Sequence, residues 1–97
     1  MRAALERVRE EADALDARTL FVYLPDWRRF ADDTWAPAAP RADVLELARA
    51  SGMDVVDVAT AFDAHGDPLE LFPFRSWGHY VPAGHAVVAR AVADALR

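Results

Sequence analysis

The sequence predicts an α/β fold built on a parallel sheet. Helix-like and strand-like segments alternate along the 97 residues in the order α-β-loop-α-β-loop-α. Both strand-like segments are short, continuous apolar runs, which are typical of strands buried on both faces of a parallel sheet. Parallel strands that follow one another require right-handed crossovers through helices. A chain of 97 residues forms one domain at most, and a 54% share of apolar residues is enough for its core.

The first half of the chain predicts a helix, a strand and a long loop. Residues 2–16 predict a helix, because apolar side chains recur every three or four positions on one face. Residues 19–24, TLFVYL, predict a strand that ends at Pro25. The aromatic-rich residues 25–39 predict a loop with one helical turn around residues 26–30. The apolar stripe of the first helix consists of Leu5, Val8, Ala12 and Leu15.

The second half predicts a further helix, a second strand and a final helix. A helix begins at Pro40, runs to about Ser51 and stops before Gly52. Residues 53–58, MDVVDV, predict the second strand, and one or two helical turns follow. Residues 67–81 predict an irregular segment, after which Pro82 opens the last helix.

Two parallel strands leave both edges of their sheet open. Strands that are apolar on both faces need neighbouring strands and helices on each side. We therefore expect residues 1–97 to be the C-terminal portion of a larger α/β domain, or to pair with another chain. That other chain could be a second copy of this one in a homo-oligomer.

Composition excludes several classes of function. The net charge is −5 and no basic patch is present, which argues against a nucleic-acid partner. The chain has no cysteine, so thiol chemistry is excluded. No apolar run approaches the ~20 residues of a membrane-spanning helix. The sequence has neither a glycine-rich phosphate loop nor histidine spacing typical of zinc sites, so we expect no cofactor and no metal.

The segment from Arg75 to Arg97 carries the clearest functional signal. His79 follows Gly78 on a short turn, and an aromatic residue, a proline and an Ala/Val-rich helix come next. The pattern H-Y-x-P-x-G-H-x-x-x-A resembles the last sequence block of the SGNH/GDSL hydrolase superfamily. That resemblance implies a flavodoxin-like three-layer α/β/α sandwich, of which this chain would supply the last two strands and about three main helices. It also implies that His79 is the general base for a serine nucleophile.

The chain departs from the family at the acid that orients the histidine. The family carries a carboxylate three residues before its histidine, and Ser76 occupies that position. A serine hydroxyl accepts a hydrogen bond but brings no charge. Another acid, with Asp67 and Glu70 as candidates, could orient the ring, or a backbone carbonyl could do so in a Ser-His dyad. A weakened site is the third alternative.

The nucleophile and oxyanion blocks of the family are absent from these residues. Ser76 lies in F-R-S-W-G, which lacks the signature of a strained nucleophile turn. His85, six residues beyond His79, is expected on the outer side of the last helix. Asp57 is expected to cap the turn after the second strand. Trp77 and Phe74 are candidate pocket walls.

These features favour the interpretation that the chain is the C-terminal segment of an SGNH/GDSL-type serine esterase. It would supply the general base for hydrolysis of a small ester or an O-acetylated sugar, and the isolated chain would be inactive. The alternative is a non-catalytic, partner-dependent α/β interaction module. A third interpretation is a non-catalytic, ligand-binding half of a flavodoxin-like domain.

Overall fold

The computed structural model describes residues 1–97 and shows a small α/β fold with five α-helices and a two-stranded parallel sheet. This confirms the predicted α/β class with a parallel sheet, and the order of its elements. The elements are α1 (Arg2–Ala14), β1 (Leu20–Tyr23), α2 (Arg28–Ala31), α3 (Arg41–Ala50), β2 (Asp54–Asp57), α4 (Val58–Ala64) and α5 (Pro82–Ala95).

The sheet consists of β1 and β2 in parallel register. Leu20 lies opposite Asp54 at one end, and Tyr23 lies opposite Asp57 at the other. Both strands therefore deliver their carboxyl ends to the same edge. Every residue of β1 is half-buried. One edge of the strand pairs with β2 and the other edge is unpaired. Both faces of β1 are therefore of intermediate exposure, which falls short of the burial that the sequence predicts.

The core lies between the sheet, α4 and the segment that leads into α5. Phe62 of α4 is fully buried, and so are Leu71 and Val58. Burial of one such side chain stabilises the fold by about 1.5–3 kcal/mol. Aromatic rings surround Phe62, with centroid distances of 6.1 Å to Phe30, 5.6 Å to Phe72 and 5.0 Å to Tyr80.

Gly52 ends α3 as the sequence predicts. Its φ of +86° lies in the left-handed region, which glycine adopts without steric cost. A Cβ at this position would also lie 2.4 Å from Cδ of Arg9, so the glycine lets α1 approach the turn. The turn therefore serves both the helix end and the packing of α1.

Two short 3-10 turns, Pro68–Leu71 and Pro73–Arg75, occupy part of the segment predicted to be irregular. Phe74 and Arg75 have φ values of 53° and 61°, which are unusual for residues with a Cβ. Two side-chain contacts lie along this segment, an ion pair between Asp67 and Arg75 and a hydrogen bond between Glu70 and His65. Both are solvent-exposed, so each stabilises the segment only slightly.

Helix α1 contributes no buried side chain. Two members of its apolar stripe remain solvent-exposed, Val8 by 51% and Leu15 by 79%. The stripe that the sequence predicts is present, but it has little surface within this chain to pack against. No helix combines the length and the apolar character needed to cross a membrane.

Candidate active site

His79 lies in an exposed turn between the second 3-10 turn and α5. It borders an open recess of about 340 Å³ at the carboxyl end of β1. This position agrees with the sequence-based expectation of a histidine on a short turn before the last helix. The catalytic role of His79 remains a prediction. The residues that line this His79 recess are Leu24, Pro25, Asp26, Gly78, His79, Tyr80 and His85.

Tyr80 ties the histidine turn to the end of β1. Its hydroxyl donates a 2.7 Å hydrogen bond to the carbonyl oxygen of Pro25. Its ring packs on Phe62 and Phe72, with the Phe72 centroid 5.2 Å away. Burial, with a smaller contribution from the negative charge of Asp26, raises the pKa of Tyr80 to about 12. The hydroxyl therefore stays protonated at neutral pH and remains a donor.

Asp26 places a carboxylate in the same recess. Its side chain accepts hydrogen bonds from the backbone N–H of Arg28 at 2.9 Å and from the Arg28 guanidinium at 3.0 Å. The guanidinium contact is the main reason that the pKa of Asp26 lies below its usual range. Asp26 is therefore ionised at neutral pH. Sequence reasoning missed this residue, although an acid directly after a strand-ending proline is a usable signal.

His85 also faces the recess. It lies in the first turn of α5 and packs edge-on against the Tyr80 ring, with centroids 5.8 Å apart. His85 is nonetheless solvent-exposed, as expected for the outer side of the helix. The sequence did not predict its contact with Tyr80, whose hydroxyl is bound to Pro25.

The three candidates for orienting His79 have other partners. The Ser76 hydroxyl donates to the carbonyl oxygen of Phe74 at 3.3 Å. Asp67 binds both terminal nitrogens of Arg75, at 2.7 and 3.1 Å, and this contact lowers the pKa of Asp67. Glu70 contacts Nε2 of His65. The structure does not bring Ser76, Asp67 or Glu70 to the His79 ring.

Phe74 and Trp77 do not form the wall that the sequence suggested. Phe74 is 87% exposed and Trp77 is 60% exposed. Neither residue lines the His79 recess. The left-handed conformation of Phe74 accompanies this outward position. Both rings are thus surface features of the free chain.

Asp57 has the structural role that the sequence predicts. Its carboxylate accepts a hydrogen bond from the backbone N–H of Ala59 at 3.2 Å and caps α4. The guanidinium of Arg41 binds the same carboxylate from the start of α3. Asp57 thereby joins the beginning of one helix to the beginning of the next.

No serine of the chain lines the recess. The chain contains two serines, Ser51 and Ser76. Ser51 is buried and donates to the carbonyl oxygen of Leu47 at 2.9 Å, and Ser76 is not among the lining residues. No three His, Asp or Glu side chains come together as a metal site. The recess offers an imidazole and a carboxylate, which suits proton transfer to and from a bound group.

No protein-family model, no curated protein and no solved structure matches the chain. The function is therefore argued from the recess and from the sequence block around His79.

Proposed function

We propose that this chain is the C-terminal segment of an SGNH/GDSL-type serine esterase and supplies its general base, His79. The observation that carries this proposal is the position of His79 in an exposed turn at the carboxyl end of β1. In open α/β sheets, ligands bind in the crevice beyond the carboxyl ends of the strands. A base at this edge can reach a nucleophile that follows a neighbouring strand.

In the proposed reaction, the neutral His79 ring accepts the proton of a serine hydroxyl. The serine oxygen attacks the carbonyl carbon of the ester and forms a tetrahedral intermediate. Collapse of that intermediate expels the alcohol, which takes the proton from the imidazolium. Water then releases the acyl group by the same two proton transfers. A small ester or an O-acetylated sugar is the proposed substrate.

The open edge of β1 supports the idea that the serine lies on another segment. All four residues of β1 are half-buried in this chain. A further parallel strand would cover them and would deliver its own carboxyl end to the His79 side. Such a strand would extend the sheet toward a flavodoxin-like three-layer sandwich, in which α1 could gain a partner for its apolar stripe. That N-terminal part would contribute the nucleophile and the oxyanion donors.

The second candidate function is a non-catalytic module that pairs with a partner. The exposed apolar side chains favour it, because an unpaired strand edge and exposed Val8, Leu15 and Leu24 also suit an interface without chemistry. The two candidate functions differ in whether they require the imidazole of His79. An esterase segment requires the His79 imidazole in the recess, whereas a binding module does not require it.

Ester hydrolysis by the purified 97-residue chain tests whether the nucleophile lies on another segment. We expect its turnover of p-nitrophenyl acetate to match that of free imidazole at the same concentration, because the recess holds a base and no serine. Turnover well above that level, and lost in His79→Ala, would contradict the proposal and make Ser76 the nucleophile. His65→Ala is the matched control, since His65 contacts Glu70 and does not line the recess.

A further inference from the structure

We propose that Asp26 is the positioning carboxylate of the His79 imidazole, a role that rests on the proposed function of His79 as a base. Asp26 and His79 come from distant parts of the sequence and line the same recess. The acid would hold the ring proton on Nδ1. Nε2 would then be free to accept a proton from the nucleophile.

The hydrogen bond between Tyr80 and Pro25 holds together the two backbone segments that carry these groups. His79 immediately precedes Tyr80, and Asp26 immediately follows Pro25. The 2.7 Å bond from the Tyr80 hydroxyl to the Pro25 carbonyl therefore joins the backbone next to the base to the backbone next to the acid. The Tyr80 ring is held between Phe62 and Phe72, so this link is part of the packed core.

The charged and titratable groups around His79 leave Asp26 as the acid of the recess. Three titratable residues line the recess together with His79. Tyr80 follows His79 in the same turn and is neutral, and His85 belongs to α5. Asp26 lies beyond the end of β1 and is bound to Arg28. The acids nearer in sequence are bound elsewhere, Asp67 to Arg75 and Glu70 to His65.

The contact with Arg28 leaves room for a second partner. A carboxylate has about four lone-pair sites, and the hydrogen bonds from Arg28 leave one of them open. The Asp26 side chain keeps 34% of its surface exposed. His79 is exposed as well. No hydrogen bond joins it to Asp26 in this structure, so the proposed pairing requires the His79 side chain to rotate toward the carboxylate. The Arg28 contact lowers the pKa of Asp26, which is ionised at neutral pH with or without that contact.

The tautomer of neutral His79 is the direct readout. Two-bond ¹H–¹⁵N correlation spectra of the ¹⁵N-labelled chain, at a pH about two units above the ordinary histidine pKa of about 6.5, distinguish Nδ1–H from Nε2–H for each of the 3 histidines. We expect Nδ1–H to predominate at His79, whereas Nε2–H predominates in free histidine. In Asp26→Asn we expect that preference to be lost. Asn keeps the cap on the Arg28 N–H, so the local turn is preserved.

Two further variants separate the acid from the turn that carries it. Glu70→Gln is the matched control and should alter His65 while leaving the His79 tautomer unchanged. Arg28→Gln retains the carboxylate and should retain the Nδ1–H preference. A free-histidine tautomer ratio in the wild-type chain would overturn the pairing. So would a preference that survives Asp26→Asn, or one that is lost equally in Arg28→Gln.

The outcome for Asp26 is independent of the outcome for the esterase. The tautomer is measured without an ester or a nucleophile. The esterase is tested separately, with this chain joined to the polypeptide that supplies the neighbouring strand. An Asp26-dependent tautomer together with no ester hydrolysis by that joined protein would overturn the proposed function and leave the pairing in place. His79-dependent esterase activity of the joined protein, without any effect of Asp26 on the tautomer, would overturn the pairing alone.

Discussion

At the scale of single residues, Tyr80 connects the core to the recess. Its ring belongs to the aromatic cluster around Phe62, and its hydroxyl reaches the backbone at the end of β1. No sequence pattern indicates this contact, because it joins positions 55 residues apart. For the same reason Asp26 escaped prediction as a neighbour of His79. The sequence block indicates His79, and a long-range hydrogen bond brings the segment of Asp26 to the same recess.

Tyr80→Phe should destabilise the fold by about 1 kcal/mol, because it leaves the Pro25 carbonyl without its partner and retains the ring. Urea unfolding followed by tryptophan fluorescence measures the change. Tyr23→Phe is the control. Its hydroxyl accepts a hydrogen bond only from the guanidinium of Arg29, which can bind water instead, so a smaller loss is expected. Equal stability of Tyr80→Phe and the wild type would contradict the role given to this hydrogen bond.

Alkaline pH should weaken the fold through Tyr80. Its folded-state pKa is about 12, above the value of 10.0 for an exposed tyrosine, since burial disfavours the phenolate. The unfolded chain therefore loses this proton first, and the free energy of unfolding should fall as the pH rises from 10 toward 12. Stability below pH 10 should be unaffected by this group. The fall should be shallower in Tyr80→Phe, and an identical pH dependence in both proteins would contradict the assignment.

At the scale of elements, the sequence predicts the order of helices and strands correctly and their ends approximately. The strand predicted over residues 19–24 is β1 at Leu20–Tyr23, and the turn around residues 26–30 is α2 at Arg28–Ala31. The two 3-10 turns before His79 were not predicted. The second turn contains left-handed backbone at Phe74 and Arg75, for which apolar periodicity gives no signal.

The start of α5 packs closely enough to need glycine at position 84. A Cβ on Gly84 would lie 2.7 Å from the carbonyl oxygen of Leu71 and 2.8 Å from Cβ of Tyr80. Gly84→Ala should therefore destabilise the fold by roughly 1–3 kcal/mol through overpacking, in spite of the better helix propensity of alanine.

Gly66→Ala is the matched control for this packing, because a Cβ at Gly66 would meet no atom within 4 Å. Thermal melts of the two variants should differ, with the Gly66 variant within about 0.5 kcal/mol of the wild type. A Gly84→Ala protein as stable as the wild type would show that α5 does not pack as described.

At the scale of the whole molecule, the chain leaves apolar surface without a partner. β1 has an unpaired edge, α1 buries no side chain, and Leu15 is 79% exposed. Apolar surface next to an open strand edge favours association. We expect light scattering to show dimers or larger species of the purified chain, or an apolar dye to bind it. A dye-silent monomer with a cooperative melt would contradict this expectation.

The central claim is that His79 is the base for a serine carried by another segment. Its most direct test is ester hydrolysis by this chain joined to the polypeptide that supplies the neighbouring strand, in wild-type, His79→Gln and His65→Gln forms. Loss of a general base typically lowers kcat by about 10²–10⁴-fold, which is the result expected for His79→Gln. His65→Gln should keep wild-type kcat, because His65 lies outside the recess. Full activity in His79→Gln, or equal losses in both variants, would contradict the claim.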